Sequence, residues 1–209
     1  MVKNKISIIY KSLIVLFVIV GVSLQSGFGS TGFSFGYFRY FTTLSNLAVG
    51  LFFAFDVVRL LKSKTGERHF SSYFKFAITM SIMLTGLVAH FMLRGFFGER
   101  PVLMQFGLTL VHYVVPIATV FDWIIFDKKG LTTKKMPCFA AIFPIAYVVY
   151  AMIYAQFTTA VDKYPYPFLD VDTYGISGVA LNIILLTIAF FVVGYLGVAI
   201  DKLIAKIKK

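Results

Sequence analysis

Charged side chains are scarce in this chain of 209 residues, and their scarcity excludes most soluble classes of protein. Only 14% of the residues are charged and 59% are hydrophobic, and the mean hydropathy is +0.85. A soluble domain has about 45–50% apolar and roughly 25% charged residues. The composition is therefore typical of a membrane protein.

Cysteine is almost absent, and the common catalytic and metal-binding motifs are missing. The single cysteine, Cys138, excludes an internal disulfide and a cysteine-based metal cluster, and its apolar surroundings predict a buried thiol. The sequence has no G-x-S-x-G, no H-E-x-x-H and no phosphate-binding glycine loop. An acidic cluster near the C-terminal third has a spacing that matches no metal motif: Asp162, Asp170 and Asp172. We therefore expect neither a metal nor a cofactor.

Apolar runs are abundant, and six of them are long enough to cross a bilayer. A helix needs about 20 residues to span roughly 30 Å of hydrocarbon. The first run reaches Leu24 without a cleavage signature, which predicts a retained helix. Together the runs predict an all-α polytopic membrane protein with one membrane domain over residues 1–209. The predicted spans are residues 8–28, 37–61, 73–96, 103–126, 138–157 and 176–200.

The net charge of +11 is distributed unevenly along the chain. Sixteen Lys and Arg residues lie in the two termini and in the second-to-third and fourth-to-fifth connections. Only four lie on the other side, namely Arg39, Arg94, Arg100 and Lys163. Because cytoplasmic flanks carry an excess of positive charge, we expect a cell-membrane protein with both termini in the cytoplasm. The clusters suit anionic lipid headgroups, so we expect a lipid bilayer and no nucleic acid as partner.

Polar residues inside the spans are the candidates for function, because unpaired polarity in hydrocarbon is costly. In the second span, Arg39, Thr42 and Asn46 recur at helical spacing and share one face. Ser45 lies beside that face, and Thr43 points to the adjacent one. Thr and Ser can bond to their own helix, which would make them packing residues. Asn46 is harder to explain by packing, since an amide needs several partners.

The three histidines lie at different depths. His112 is about nine residues inside the fourth span, hence roughly 13 Å deep. His90 lies near the end of the third span, and His69 lies in a basic connection where we expect it to be solvated. Since the second and fourth spans run in the same direction, Thr42 and His112 are predicted at similar depth. A hydroxyl and an imidazole can act together as nucleophile and general base.

Two aspartates lie near the opposite ends of these spans. Asp56 is close in sequence to Arg59, and Asp122 is close to Lys128. This proximity predicts ion pairs at the membrane interface, with a structural rather than a chemical role. The remaining inner halves of the spans are largely apolar.

Three short motifs resemble a known family. They are Arg39-Tyr40-Phe41-Thr42, His112 followed by Pro116, and Tyr166-Pro167-Phe168-Leu169. They resemble the androgen-induced and androgen-dependent multi-span membrane hydrolases, which cleave fatty acid esters of hydroxy fatty acids, and the chain looks most like a bacterial six-span branch. In that family a Thr early in the second span is the nucleophile and a later His is its base. The resemblance implies these roles for Thr42 and His112, with Thr43 as the alternative nucleophile.

The leading hypothesis is an intramembrane threonine hydrolase that cleaves a lipid-like ester in an outer-leaflet pocket. Either of two side chains, Asn46 or Arg39, would stabilise the oxyanion. The predicted substrate-binding residues are Arg39, Thr43, Ser45, Asn46 and His90. The alternatives are a non-enzymatic transporter or lipid-binding membrane protein, and a structural partner whose polar residues only pack helices. A transport pathway would need polar residues through the whole bilayer, whereas these lie toward one side. The oligomeric state stays open.

Overall fold

The computed structural model describes residues 2–62, 72–96, 98–159 and 162–207. Helices dominate these residues, and no strand occurs among them. Six helical stretches in the described part are long and apolar enough to cross a membrane, which confirms an all-α polytopic membrane protein. His69, for which we predict a solvated position, lies outside the described residues.

The helices follow one another with short connections. The third span is Ser72–Leu93. The fourth span, Val102–Phe126, contains two α-helices that a π-helical segment joins. Short 3₁₀ segments occupy Phe35–Arg39, Arg94–Phe96 and Pro167–Leu169, and π-helical segments occupy Ala89–Leu93 and Leu110–Val114. The α-helices are α1 (Val2–Gln25), α2 (Phe41–Lys62), α3 (Ser72–Val88), α4 (Val102–Thr109), α5 (Val115–Phe126), α6 (Met136–Phe157) and α7 (Val171–Ile207).

Two boundaries of the predicted spans differ from the structure for a local backbone reason. Helix α1 ends at Gln25 rather than at residue 28, because Gly27 adopts a φ of 94°, which ends a helix. Helix α2 begins at Phe41 rather than at residue 37, because Tyr40 is extended, with φ −86° and ψ 140°. Arg39 therefore lies on the preceding 3₁₀ turn and does not share the α2 face with Thr42.

The chain folds into two compact units, Met1–Lys128 and Lys129–Lys209. The first unit holds α1 to α5, and the second holds α6 and α7. The expectation of one membrane domain over residues 1–209 stays a prediction.

In the first unit, α1 packs against α2, α4 and α5, and α3 packs against α2 and α5. Its innermost side chains include Val49, Phe53, Ile82 and Val115, all fully buried. Small residues allow close approach: a Cβ on Gly107 would lie 2.5 Å from the backbone nitrogen of Gln25. In lipid, such close contacts associate helices in place of the hydrophobic effect that operates in water.

Four buried charges lie together at the end of the first unit where α2 terminates. We call Lys11, Asp56, Lys75 and Asp122 the charge cluster; each comes from a different helix. Lys11 Nζ lies 2.5 Å from Asp122 Oδ1 and 3.3 Å from Asp56 Oδ2, and Lys75 Nζ pairs with Asp122 Oδ2. Both ammonium groups also lie over the ring of Phe53, at 4.8 and 4.2 Å.

The charge cluster corrects two expectations. Asp122 is fully buried and pairs with Lys11 and Lys75, so the predicted interfacial pair with Lys128 is wrong. Lys11 and Lys75 are themselves buried rather than exposed flank charges. The physical reason is that a buried carboxylate needs a positive charge beside it. Lys11 and Lys75 supply that charge, because they lie on neighbouring helices at the same level as Asp122.

In the second unit, two aspartates organise the ends of α7. Asp201 Oδ2 accepts hydrogen bonds from the amides of Gly130 and Thr132, at 2.9 and 3.0 Å, and from the Thr132 hydroxyl at 2.8 Å. At the other end, Asp170 accepts from the amides of Asp172 and Thr173 and so caps the short helical turn that begins at Val171, which a kink at Gly175 (φ 66°) separates from the rest of α7. The hydrogen bond from the Thr173 hydroxyl lowers the pKa of Asp170.

Two further expectations concern this second unit. Cys138 is exposed in the apolar surface of α6, so the prediction of a buried thiol is wrong. The acidic loop residues are used locally instead: Lys163 pairs with Asp172 at 2.5 Å, which raises the pKa of Lys163. Among the described residues, no group of His, Cys, Asp and Glu is arranged to hold a metal ion.

Candidate active site

Thr42 and His112 are in direct contact inside the first unit. Thr42 lies in the first turn of α2 and His112 in the π segment of the fourth span. Thr42 Oγ1 lies 3.1 Å from His112 Nε2, and the two residues are 6% and 4% exposed. The predicted proximity in depth is therefore a hydrogen-bond contact, which is the geometry that a nucleophile and its base require.

The other ring nitrogen of His112 determines which tautomer is present. His112 Nδ1 lies 3.0 Å from the carbonyl oxygen of Leu108. A carbonyl can only accept, so Nδ1 carries the hydrogen and Nε2 carries the lone pair. The Thr42 hydroxyl therefore donates to Nε2. This orientation is the one in which an imidazole can take the hydroxyl proton.

The π segment Leu110–Val114 positions His112, and its cause is visible in the sequence. The Val115 amide donates to the Leu110 carbonyl, five residues back, and Pro116 has no amide hydrogen to donate. The extra residue in the turn changes the direction of the side chains within it, a feature that recurs at functional sites. Gly86 permits this arrangement, because a Cβ there would lie 3.0 Å from the His112 carbonyl oxygen.

Asn46 lies one turn below Thr42 and is fully buried. Its Nδ2 donates to the Thr42 carbonyl at 2.8 Å and to the Val111 carbonyl at 3.1 Å. An amide NH₂ has two hydrogens, and both are used here. This geometry leaves no Asn46 hydrogen for an oxyanion. Its predicted place in substrate binding stays a prediction.

Ser45 and Thr43 make different contacts on either side of Thr42. Ser45 Oγ lies 3.1 Å from the Thr42 carbonyl and 2.8 Å from Thr85 Oγ1, which ties α2 to α3. Thr43 Oγ1 donates to the Tyr37 carbonyl at 2.7 Å and accepts from Gln25 Nε2 at 3.0 Å. Because the Thr43 hydroxyl hydrogen goes to a carbonyl, the geometry favours Thr42 over Thr43 as the nucleophile.

Gln25 is a neighbour of the site that sequence reasoning missed. It is buried at the last residue of α1, and its amide donates to Thr43, the residue next to Thr42. The sequence signal that could have identified Gln25 is its amide side chain near the end of a largely apolar span. Such a residue needs partners in hydrocarbon, just as Asn46 does.

Arg39 and His90 lie at the margin of this arrangement. Arg39 is half-buried, and its guanidinium stacks on Tyr40 at 5.2 Å with Nη2 3.2 Å from the Tyr40 hydroxyl. His90 is exposed in the segment Ala89–Leu93, and its ring packs edge-on against Phe91 and Tyr113. The structure thus joins Thr42 to His112 and Asn46 to the neighbouring Val111, whereas the predicted role of His90 stays a prediction.

The chain matches no protein-family model, no curated protein and no solved structure. The resemblance to the multi-span membrane hydrolases therefore stays a prediction. Any functional assignment depends on the geometry of the site.

Proposed function

We propose that this protein is an intramembrane threonine hydrolase that cleaves a lipid-like fatty acyl ester, with Thr42 as nucleophile and His112 as base. The observation that supports the proposal is the 3.1 Å contact between Thr42 Oγ1 and His112 Nε2 in the tautomer that a base needs. No cofactor enters the proposal, because a hydroxyl and an imidazole suffice for acyl transfer.

The reaction proceeds in two balanced steps. His112 Nε2 takes the hydroxyl proton as Thr42 Oγ1 attacks the ester carbonyl carbon, and the imidazolium returns that proton to the leaving alcohol. This gives an acyl-Thr42 intermediate. Water then attacks the acyl carbon while His112 takes its proton. The Thr42–acyl bond breaks, Thr42 regains a proton from His112, and a fatty acid leaves.

The N-terminus of α2 supports the oxyanion that forms during attack. Thr42 is the second residue of α2, so an oxyanion that forms beside it would lie at the N-terminal end of that helix. The helix dipole favours negative charge at this end. A fixed dipole of this kind stabilises an oxyanion more strongly in a site with little water than in bulk solvent. Arg39, on the preceding 3₁₀ turn, is the donor that we propose.

We also propose that the site opens to the outer leaflet of the cell membrane, with both termini in the cytoplasm. The uneven distribution of Lys and Arg supports this orientation. A lipid-like substrate fits because the helices around the site are apolar and reach the membrane. The partners are then the bilayer and its ester-containing lipids.

A transporter with the same residues is the alternative, and the packing argues against it. Between the Thr42 site and the charge cluster lie Val49, Phe53, Ile82 and Val115, which are fully buried. The buried hydroxyls at this level, those of Thr79 and Thr119, bond to carbonyls of their own helices. A polar pathway through the first unit would have to pass this apolar layer. A site with one opening needs no such pathway.

The test is hydrolysis of p-nitrophenyl esters of increasing acyl length by the purified protein in lipid nanodiscs. We expect Thr42→Ala and His112→Ala to abolish turnover and labelling by a fluorophosphonate. Thr119→Ala is the matched control, since Thr119 is fully buried but bonds only to the Val115 carbonyl of its own helix in the described contacts. Turnover that survives in both site variants would overturn the proposal.

A further inference from the structure

The carbonyl of Val111, next to the base His112, lacks its usual backbone donor. In a regular helix the amide of Val115 would donate to it, but that amide donates to Leu110 instead. The amide one residue further belongs to Pro116, which has no hydrogen. A buried carbonyl without a donor is costly, so a side chain has to supply one.

Asn46 supplies that donor from another helix. Its Nδ2 lies 3.1 Å from the Val111 carbonyl oxygen and 2.8 Å from the carbonyl oxygen of Thr42. One amide group therefore bonds to the backbone of the nucleophile and to the backbone beside the base. The contact crosses from α2 to the π segment at the level where Thr42 meets His112.

We propose that Asn46 is a positioning residue that sets the distance between Thr42 and His112 by bridging the carbonyls of Thr42 and Val111. The inference rests on the proposed function for its catalytic consequence. Asn46 touches neither reacting atom in the described contacts, so its effect is exerted through the backbone of the two residues that react.

The chemistry of the amide explains why asparagine occupies this position. The bridge needs two hydrogens on one atom, which a hydroxyl or a carboxylate cannot provide. Asn46 Oδ1 is buried and makes no hydrogen bond in the part of the chain that the structure describes. A buried acceptor of this kind is costly, and the two hydrogen bonds that the amide donates offset that cost.

The experiment compares Asn46→Leu and Asn46→Asp with the wild-type protein in nanodiscs. Leucine keeps the approximate shape without donors, and aspartate can donate only when protonated, with one hydrogen. Asn182→Leu is the matched control, because Asn182 Nδ2 also donates to a carbonyl, that of Phe168 in the second unit, at 3.0 Å. Active sites are titrated by the final extent of fluorophosphonate labelling, so that misfolded protein does not count.

We expect kcat per titrated site to fall about 100-fold in Asn46→Leu, since a small misplacement of reacting groups has an effect of this size. In Asn46→Asp, kcat per titrated site should fall less at low pH than at high pH, because only the protonated acid can donate one hydrogen bond. KM should change little, since the substrate contacts remain. A purely structural role would lower the number of titrated sites and leave the rate per site unchanged.

A second readout does not depend on hydrolysis. In protein with ¹⁵N-labelled imidazoles, the His112 signal reports whether Nδ1 carries the hydrogen, and His112→Ala assigns it. We expect that signal to shift in Asn46→Leu and to stay unchanged in Asn182→Leu. An unchanged signal in Asn46→Leu, with kcat per site within about twofold of wild type, a change of only ~0.4 kcal/mol, overturns the inference.

The two proposals fail in different ways. If Thr42→Ala is inactive but Asn46→Leu behaves as wild type in both readouts, the hydrolase stands and the positioning role is overturned. If Thr42→Ala keeps full turnover, the hydrolase is overturned. The ¹⁵N signal of His112 then decides alone whether Asn46 positions the ring.

Discussion

The first unit has two buried polar regions, and they are built from opposite kinds of chemistry. The charge cluster joins two lysines and two aspartates from four helices in direct ion pairs. The region around Thr42 uses neutral hydroxyl, imidazole and amide groups that bond to one another and to carbonyls. Ion pairs in hydrocarbon are hard to separate. Neutral groups can exchange a proton and admit a substrate, which fits the hydrolase that we propose.

The first prediction isolates chemistry from stability. We expect Thr42→Ala to lower ester turnover by about 10⁶-fold, as when the nucleophilic serine of a protease is removed. The melting temperature should change little, because the hydrogen bonds to the Thr42 carbonyl remain. Turnover and thermal unfolding are measured on the same nanodisc sample. A large loss of stability in this variant would mean that the Thr42 region is structural.

The second prediction concerns the charge cluster, where we expect a loss of stability without a loss of turnover. Lys11→Met removes the ammonium between Asp56 and Asp122, and breaking a buried pair in this way costs about 3–5 kcal/mol. We expect a lower melting temperature and lower yield, with turnover per titrated site close to wild type. Asp172→Ala is the control, since its pair with Lys163 is at the surface, where solvent screening leaves such pairs with little effect on stability. Equal effects from both variants would contradict the structural role.

The third prediction tests the backbone support of His112. Gly86→Ala places a Cβ 3.0 Å from the His112 carbonyl oxygen and 3.3 Å from Pro116 Cβ. Overpacking of this kind costs about 1–3 kcal/mol, and we expect it to displace the base and to lower turnover. Gly50→Ala is the matched control, because its Cβ would meet Val18 at 2.9 Å, in the core and away from His112. If both variants lower turnover per site equally, the effect is general packing.

The fourth and smallest prediction concerns a half-buried charge outside both regions. Asp170→Ala removes the cap of the short turn that precedes the kink at Gly175, and losing an N-cap residue costs about 0.5–2 kcal/mol. Because the pKa of Asp170 is lowered in the folded protein, its stabilisation is present above the unfolded pKa. It is lost as the pH falls through the folded value. The difference in melting temperature between variant and wild type should therefore vanish in strong acid, and a difference that persists there contradicts this origin.

Much of the fold was predictable, because it depends on local patterns. Six apolar runs of sufficient length predict six spans, and the structure confirms this number within the described residues. The depth of Thr42 and His112 could also be estimated from residue counts along helices that run in the same direction. The start of α2 could not, since the extended backbone of Tyr40 leaves no clear signal in an aromatic stretch.

The charge cluster shows why the rest was not predictable. In the sequence, Lys11 and Lys75 each lie near the end of an apolar span, so they resemble the positive charges that flank spans on the cytoplasmic side. Their partners lie on other helices, 111 and 47 residues away in the case of Asp122. The partner of a buried charge depends on which helices pack together and at what relative height. Neither the choice of neighbouring helix nor its relative height can be predicted from a short stretch of sequence.

Sequence alone determined that this chain is a bundle of membrane helices, because bilayer thickness translates directly into apolar length. It also narrowed the chemistry to a few hydroxyl, amide and imidazole groups, because such groups are costly in lipid. Only the tertiary structure decided that Thr42 rather than Thr43 meets His112, and that Asn46 bonds to Val111. Those contacts depend on a π segment and on helix packing, which rotate side chains by amounts that spacing cannot reveal.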